Sequence, residues 1–294
     1  MSYELLKKQI IDKLSEIGFF TDDFTEISLI NAISKEKNDL AIDVLNCLNK
    51  NIQIAKEKDF PLCQDTGQVI FWVKIGEKFI LSEKWKAIFE YNQKNNSFTD
   101  CITSLLTEAV REAFLKNNYR HSITIDPINR KNNNDNTPPI IHLELSQDDK
   151  MEISMMLKGG GSENMSALKM LNPADKIQGV RNFILETIKK SEGNACPPLT
   201  IGIGIGGNFE TCALLAKKSL FRKHDEKNID DFWANEEIFL LNEINKLNIG
   251  PMGLGGITTA LKVNIEVRPC HIASLPVAVN LECHAHRIAR IVIE

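Results

Sequence analysis

No stretch of this sequence reaches the roughly 20 apolar residues that span a bilayer, and no apolar run with a small-residue cleavage site follows Met1. Residues 1–17 are instead an amphipathic pattern carrying Lys7, Lys8, Asp12 and Lys13. Export and membrane insertion are not signalled, and a cytoplasmic location is expected. A basic stripe is missing as well. The 35 Lys and Arg residues stand against 39 Asp and Glu, a formal charge of −4, so nothing tracks a phosphate backbone and nucleic acid is not an expected partner. Repeats of the solenoid kind are lacking. Among the seven cysteines there is no C-x-x-C pair, which removes zinc ribbons and ferredoxin-like clusters. Their odd number in a reducing compartment also argues against a disulfide framework.

What remains is ordinary globular composition, 43% hydrophobic and 25% charged over 294 residues, long enough for a substantial core. The expectation is one domain over residues 1–294 with a helical N-terminal subregion over residues 1–60. In that subregion Leu6, Ile10, Leu14 and Ile17 share a helical face, as do Leu40, Val44 and Leu48. Val69, Phe71, Val73 and Ile75 then alternate as in a half-buried strand. Residues 100–116 return to helical spacing through Leu105, Leu106, Ala109, Val110 and Ala113, and residues 132–139 form a polar, proline-bounded loop. Ile141, Leu143 and Leu145, followed closely by Ile153, Met155 and Leu157, predict a hairpin. Asn172-Pro173 predicts a capped helix start whose buried face is Ile177, Val180, Ile184 and Ile188. A strand is expected over 199–205, helices over 210–221 and 231–246, and short strands over 263–267, 275–279 and 288–293. The fold class is therefore mixed α/β of the α+β kind: a helical N-terminal portion, then a mixed sheet with packed helices.

Three glycine-rich stretches need a reason, because glycine forfeits backbone entropy on folding. Lys158-Gly159-Gly160-Gly161-Ser162-Glu163-Asn164 is expected to run from a strand into a helix around residues 167–171. It is either an anion-attracting helix start or a tight turn with Ser162 as cap. Gly202-Ile203-Gly204-Ile205-Gly206-Gly207 matches G-x-G-x-x-G, but the place of the acidic second strand is taken by Arg222-Lys223-His224-Asp225-Glu226. Close backbone packing is the better reading than a nicotinamide site. The stretch from Gly250 to Thr259 serves either a ligand or a close chain crossing.

The cysteines divide by their surroundings. Cys47, Cys101 and Cys212 fall in helical patterns and read as small buried residues. Cys63, in Pro61-Leu62-Cys63-Gln64-Asp65-Thr66-Gly67, and Cys196, in Asn194-Ala195-Cys196-Pro197-Pro198, lie in turn-forming loops where a thiolate can reach a metal. Cys283 is a third candidate, and its neighbours His284 and His286 invite a zinc reading. Asp65 and His271 are candidates for acid–base work.

These motifs, with residues 132–138 after Arg130-Lys131, residues 204–207 and 253–259, and His271-Ile272-Ala273 followed by Leu275-Pro276-Val277-Ala278-Val279-Asn280, occur in one order. In that order they resemble the α subunits of class I fumarases and the related L-tartrate dehydratases, over about residues 5–294. The resemblance implies a 4Fe-4S cluster held by Cys63, Cys196 and Cys283, whose open iron acts as a Lewis acid on a substrate hydroxyl. It further implies that Asp65 delivers a proton to the departing hydroxide, that Gln64 hydrogen-bonds a substrate carboxylate, and that Arg120 clamps one with its forked donors. Backbone N–H groups near Gly160 and the His271 ring complete the implied substrate contacts.

The implied reaction is reversible hydration of fumarate to L-malate, a step of the tricarboxylic acid cycle. L-tartrate dehydration and mesaconate hydration are alternatives within the same chemistry, and a non-catalytic, metal-stabilised binding protein is an alternative of another class. Single-chain members continue after the third cysteine into a second domain. A separate β subunit supplying the remaining catalytic groups is accordingly expected, within a higher oligomer. Two substitutions depart from the pattern, Cys270 for a usual threonine and Glu282 for a usual asparagine, and a stretch between Leu81 and Leu106 reads as an insertion.

Overall fold

The computed structural model describes residues 1–89, 98–223 and 225–294. Part of the expected insertion, and His224, lie outside them. Along the chain come α1 (Tyr3–Phe19), α2 (Asp23–Lys35), α3 (Asp39–Lys58), β1 (Gln68–Gly76), α4 (Glu77–Ile80), α5 (Glu83–Phe89) and α6 (Phe98–Lys116). Then follow β2 (Ile140–Ser146), β3 (Met151–Lys158), α7 (Gly160–Asn164), β4 (Ala167–Leu171), α8 (Lys176–Ser191), β5 (Leu199–Gly207) and α9 (Phe209–Ser219). The chain ends with α10 (Asp231–Asn245), β6 (Ala260–Cys270), β7 (Leu275–Glu282) and β8 (Ile288–Ile293). Helices packed on mixed sheets make it an α+β protein. Two compact units form: Met1–Thr21, Ala55–Lys158 and Arg287–Glu294 make the first, Asp22–Ile54 and Gly159–His286 the second. The helical first sixty residues are thus shared between them.

The first unit is built on a sheet of order β2-β1-β3-β8. Val69, Phe71, Val73 and Ile75 of β1 are all wholly buried, as their alternation requires. They share a core with Leu6, Ile10 and Leu14 of α1 and with Leu105, Leu106, Ala109, Val110 and Ala113 of α6. Each buried Val, Leu, Ile or Phe among them contributes about 1.5–3 kcal/mol. The expected hairpin is split. β2 and β3 are not paired with each other; β1 lies between them, parallel to β2 and antiparallel to β3. β1 is apolar enough to be central, whereas β2 leaves Leu145 72% exposed and accepts an edge. The connection from β2 to β3 crosses the end of β1, where Lys150 O accepts from Gly76 N–H at 2.9 Å. A Cβ at Gly76 would strike the Asp148 carbonyl there.

The second unit has sheet order β4-β7-β5-β6. β5 and β6 are parallel, with α9 and α10 between them in sequence, and β7 runs antiparallel to β5. α9 lies so close on β5 that a Cβ on Gly202 would meet the Ala216 carbonyl and one on Gly204 the Cys212 carbonyl. The G-x-G-x-x-G stretch is therefore a helix-on-strand contact. Residues 167–171 form β4, antiparallel to β7, rather than the expected helix. A five-residue run carries too little periodicity to choose, and pairing with β7 decides. Asn172 caps only the short 3-10 turn Pro173–Asp175, in a capping box with Asp175; α8 itself starts from Asp175 without a side-chain cap bond, and of its expected face Val180, Ile184 and Ile188 are buried while Ile177 is half-buried. In α3 the buried face is Ala41, Leu45, Ile52 and Ala55, rotated from the expected one, with Leu40 51% exposed.

Candidate functional site

In the first unit the loop 61–67 is tied at both ends. Gly18 O accepts from Leu62 N–H at 2.8 Å, and buried Thr66 donates its hydroxyl to Arg120 O at 2.9 Å. Asn136, wholly buried, donates Nδ2–H to Gly67 O at 3.2 Å and accepts from Ser122 N–H at 2.7 Å. Between these ties Cys63 and Asp65 stay half-buried and Gln64 exposed, and Ser122 Oγ donates to Asp65 Oδ1 at 3.4 Å. The Thr66 bond brings Arg120 to the loop through its carbonyl and leaves its side chain exposed. The asparagine-rich loop 132–138 does the holding. Burial works to raise the Asp135 carboxyl, but hydrogen bonds from Thr137 and Arg111 outweigh it and keep the group below the usual carboxylate range. Asn136, Thr66 and Ser122 were not marked out by sequence reasoning; a polar residue that serves only as a brace has no periodicity to announce it.

In the second unit Cys196 has φ +55°, a left-handed conformation rare outside glycine. Such a backbone costs on the order of 1–3 kcal/mol and persists where surrounding structure dictates it. Here Gly193 O accepts from Cys196 N–H at 3.0 Å and Pro197 O accepts from Met252 N–H at 2.8 Å. A Cβ on Gly253, at φ +76°, would collide with Gly193, and one on Gly250, at φ +71°, with the Gly255 carbonyl. The stretch 250–259 is thus a close chain crossing that braces the Cys196 loop. Glu36 anchors its far side, its carboxylate accepting from Ile257 N–H at 2.9 Å and Thr258 N–H at 3.3 Å.

Cys196 O accepts from His284 N–H at 3.1 Å and lies 3.2 Å from His284 Nδ1. The residue after Cys283 is thereby fastened to Cys196, and both thiols are half-buried. Gly160 opens α7, which packs on β7: Glu163 Oε2 accepts from Asn280 at 3.2 Å, and Ser166 Oγ accepts from Leu281 N–H at 3.2 Å. Ser162 is not the helix cap; that position is Gly159, without a side-chain bond. His271 sits exposed in the turn between β6 and β7, its Nδ1 accepting from Ala273 N–H at 3.1 Å. That turn and Cys283 are at opposite ends of β7, about 23 Å apart at 3.3 Å per residue.

Cys270 is exposed at the same turn, its thiol 3.3 Å from Ser274 O. Of the three cysteines expected in helix cores, Cys101 and Cys212 are buried but Cys47 is exposed, because it lies off the buried face of α3. Among the described residues no three His, Cys, Asp or Glu side chains form a group that could hold a metal ion.

Half-buried thiols in braced loops, with the Asp65 carboxylate and Gln64 amide on the same loop as Cys63 and Arg120 tied to that loop through its carbonyl, are parts suited to a hydro-lyase. The chain belongs to the fumarate hydratase family: the model described as fumarate hydratase (Fumerase) matches residues 8–292. It is 41% identical over 282 residues, 95% of this chain and 94% of the relative, to a Methanocaldococcus jannaschii protein provisionally named L(+)-tartrate dehydratase subunit alpha. It is 31% identical over 299 residues, 98% of this chain and 93% of the relative, to the L(+)-tartrate dehydratase subunit alpha of Escherichia coli K12.

Proposed function

We propose that this chain is the α subunit of an iron–sulfur hydro-lyase that hydrates fumarate reversibly to L-malate, with Cys63, Cys196 and Cys283 holding a 4Fe-4S cluster. The observation that carries the reading is the His284 N–H bond to Cys196 O, which unites the loops of two cysteines far apart in sequence. The chemistry of the three donors suits the group, although they do not form a metal-holding cluster among the described residues. Thiols are what iron–sulfur clusters require, and the braces around Cys63 and Cys196 hold them without a local C-x-x-C pair. When bound, the cluster supplies a Lewis acid toward the substrate hydroxyl.

The chain's own groups take the remaining roles. Asp65, oriented by Ser122, delivers the proton to the leaving hydroxide, and Gln64 with Arg120 binds carboxylate oxygens. Backbone N–H groups at Gly160 add to that binding. His271 contacts substrate from a turn a strand's length from Cys283, so it meets a substrate held near Cys196 and Cys283 only from another copy of the chain, in keeping with a higher oligomer. The subunit names of the relatives support a β partner that completes the site. A cytoplasmic location and a place in the tricarboxylic acid cycle belong to the same reading; no helix among the described residues is long and apolar enough to cross a membrane.

L-tartrate dehydration is the second reading, favoured by the names of both relatives; mesaconate hydration uses the same residues. Anaerobic purification with the β partner, iron and acid-labile sulfide analysis, and assay against fumarate, L-tartrate and mesaconate separate them. Iron with sulfide and fastest turnover of fumarate is the expected result. Preference for L-tartrate replaces the first reading by the second, and zinc without sulfide supports a metal-stabilised binding protein instead.

A further inference from the structure

The second unit contains a cavity of about 580 Å³ whose lining shares no residue with the loops around Cys196 and Cys283. Phe24 of α2, Ile238 and Leu241 of α10, and Leu261 and Val263 of β6 make its walls largely apolar, and Lys262 lies among them. Such a volume, lined by apolar groups with a few polar ones, is that of a small-molecule pocket. The exposed side chains of Glu226, Lys227 and Asp231 form its rim.

Lys262 is half-buried. Its Nζ lies 5.9 Å from the centroid of the Phe24 ring, a wall of the same cavity, and donates to Lys223 O at 2.9 Å. Those two contacts hold the nitrogen at the cavity. The Glu237 carboxylate is engaged elsewhere, accepting from Arg222 Nη1 at 2.5 Å, Asn228 Nδ2 at 3.0 Å and Ile265 N–H at 2.8 Å. Burial, then the Arg222 charge, push the Lys262 amine down to about 8, against Glu237, Glu226 and Asp225. At pH 7.5 about a quarter of such amines are uncharged, against about one in a thousand ordinary lysines. The uncharged amine is the nucleophile. Lys74 is the opposite case, raised by its hydrogen bond to Asp148 at 2.7 Å.

We propose that Lys262 is a covalent carbonyl-binding site, whose amine condenses with a neutral aldehyde bearing a short apolar chain while that chain lies in the cavity against Phe24, Ile238 and Leu241. The nitrogen lone pair forms the bond to the carbonyl carbon, the nitrogen's protons pass to the carbonyl oxygen, and water leaves to give an imine. Neither oxidant nor reductant is consumed. Charge selects the ligand: the rim carboxylates of Glu226 and Asp231 outnumber the Lys227 ammonium, so an anionic carbonyl compound meets like charge at the mouth and apolar walls within. The site shares no residue with the hydro-lyase reading and does not depend on it.

The test treats the full-length chain at neutral pH with butanal or with glyoxylate, an anionic aldehyde, reduces the imines with cyanoborohydride and maps the labelled lysines by mass spectrometry. Butanal should label Lys262 several-fold more than Lys74, and the ratio of butanal to glyoxylate label should be several-fold higher at Lys262 than at Lys74. Ile238→Trp fills part of the cavity from a side chain that is 61% exposed and leaves the amine in place; it should cut the Lys262 label several-fold and leave the Lys74 label unchanged. Equal butanal labelling of the two lysines, or equal ratios for the two aldehydes, overturns the proposal in the parent chain without any variant. A Lys262 label that Ile238→Trp leaves unchanged overturns it as well, since the cavity then takes no part in binding.

Discussion

The loops around Cys63 and Cys196 are held by opposite means. Around Cys63 the ties come mostly from side chains, Thr66 to Arg120 O, Asn136 to Gly67 O and Ser122 to Asp65, beside the backbone bond of Leu62 to Gly18 O. Around Cys196 they come largely from backbone pressed on backbone at Gly193, Gly250 and Gly253, with Glu36, Thr259 and Asn245 as side-chain anchors of the 250–259 stretch. Side-chain braces keep a loop in place while leaving its thiol and carboxylate half-open. Glycine crossings can impose a backbone that a cysteine would not choose, the left-handed Cys196. The first arrangement should fail gradually when cut and the second abruptly.

The sharpest break of this comparison is chemical. Cys196→Ser should leave the fold intact and abolish cluster assembly and turnover, whereas Cys270→Ser should do neither; iron content and activity of the two variants decide between the thiols near the β6–β7 turn and the loops at the other end of β7. Next in size, Gly250→Ala places a Cβ against the Gly255 carbonyl at a positive φ, a strain that should cost about 3 kcal/mol or more. Thermal unfolding should show it, with cluster retention lost alongside. Asn136→Ala removes two hydrogen bonds from a wholly buried amide and should cost about 1–3 kcal/mol. Its signature is a raised KM for the dicarboxylate in a chain that still folds, since the Cys63 loop loosens without a clash.

The smallest effect sharpens the contrast within the second unit, far from either loop in function. Lys262 lines a cavity of about 580 Å³ with Phe24, Glu237 and Leu241. Burial, then the Arg222 guanidinium, push its amine down to about 8, against the opposing pull of Glu237, Glu226 and Asp225. The unfolded chain holds this proton up to an ordinary lysine value near 10.5, so between about 8 and 10.5 the unfolded state binds more protons than the folded one. Stability contributed by this group is therefore low below pH 8 and rises toward 10.5. Lys262→Met should flatten that rise in denaturant titrations run across the window, and an unchanged slope would contradict the assignment.

Legibility followed the strength of local pattern. The face of α1, the alternation of β1 and the cap at Asn172 were readable because periodicity and capping chemistry act within a few residues. Residues 167–171 were not, since a short apolar run suits helix and strand alike and only β7 selects. The split hairpin was hidden for the same reason: adjacency in sequence favours pairing β2 with β3, and nothing local reveals that β1, from some sixty residues earlier, takes the place between them. In the candidate site, Cys63, Gln64, Asp65, Arg120, Gly160, Cys196, His271 and Cys283 could all be singled out from motif and resemblance. The braces could not, because Asn136 and Glu36 act on segments remote in sequence.

By itself the sequence determined the helical start, the alternation of the central strand, the family and the loops that carry thiols, all matters of residue type at short spacing. Tertiary structure alone decided which strands became neighbours, which glycines were crossings and that His284 fastens Cys283's loop to Cys196. These depend on which distant segments meet, and contact between distant segments is settled by the burial free energy of the whole core rather than by any window of the chain.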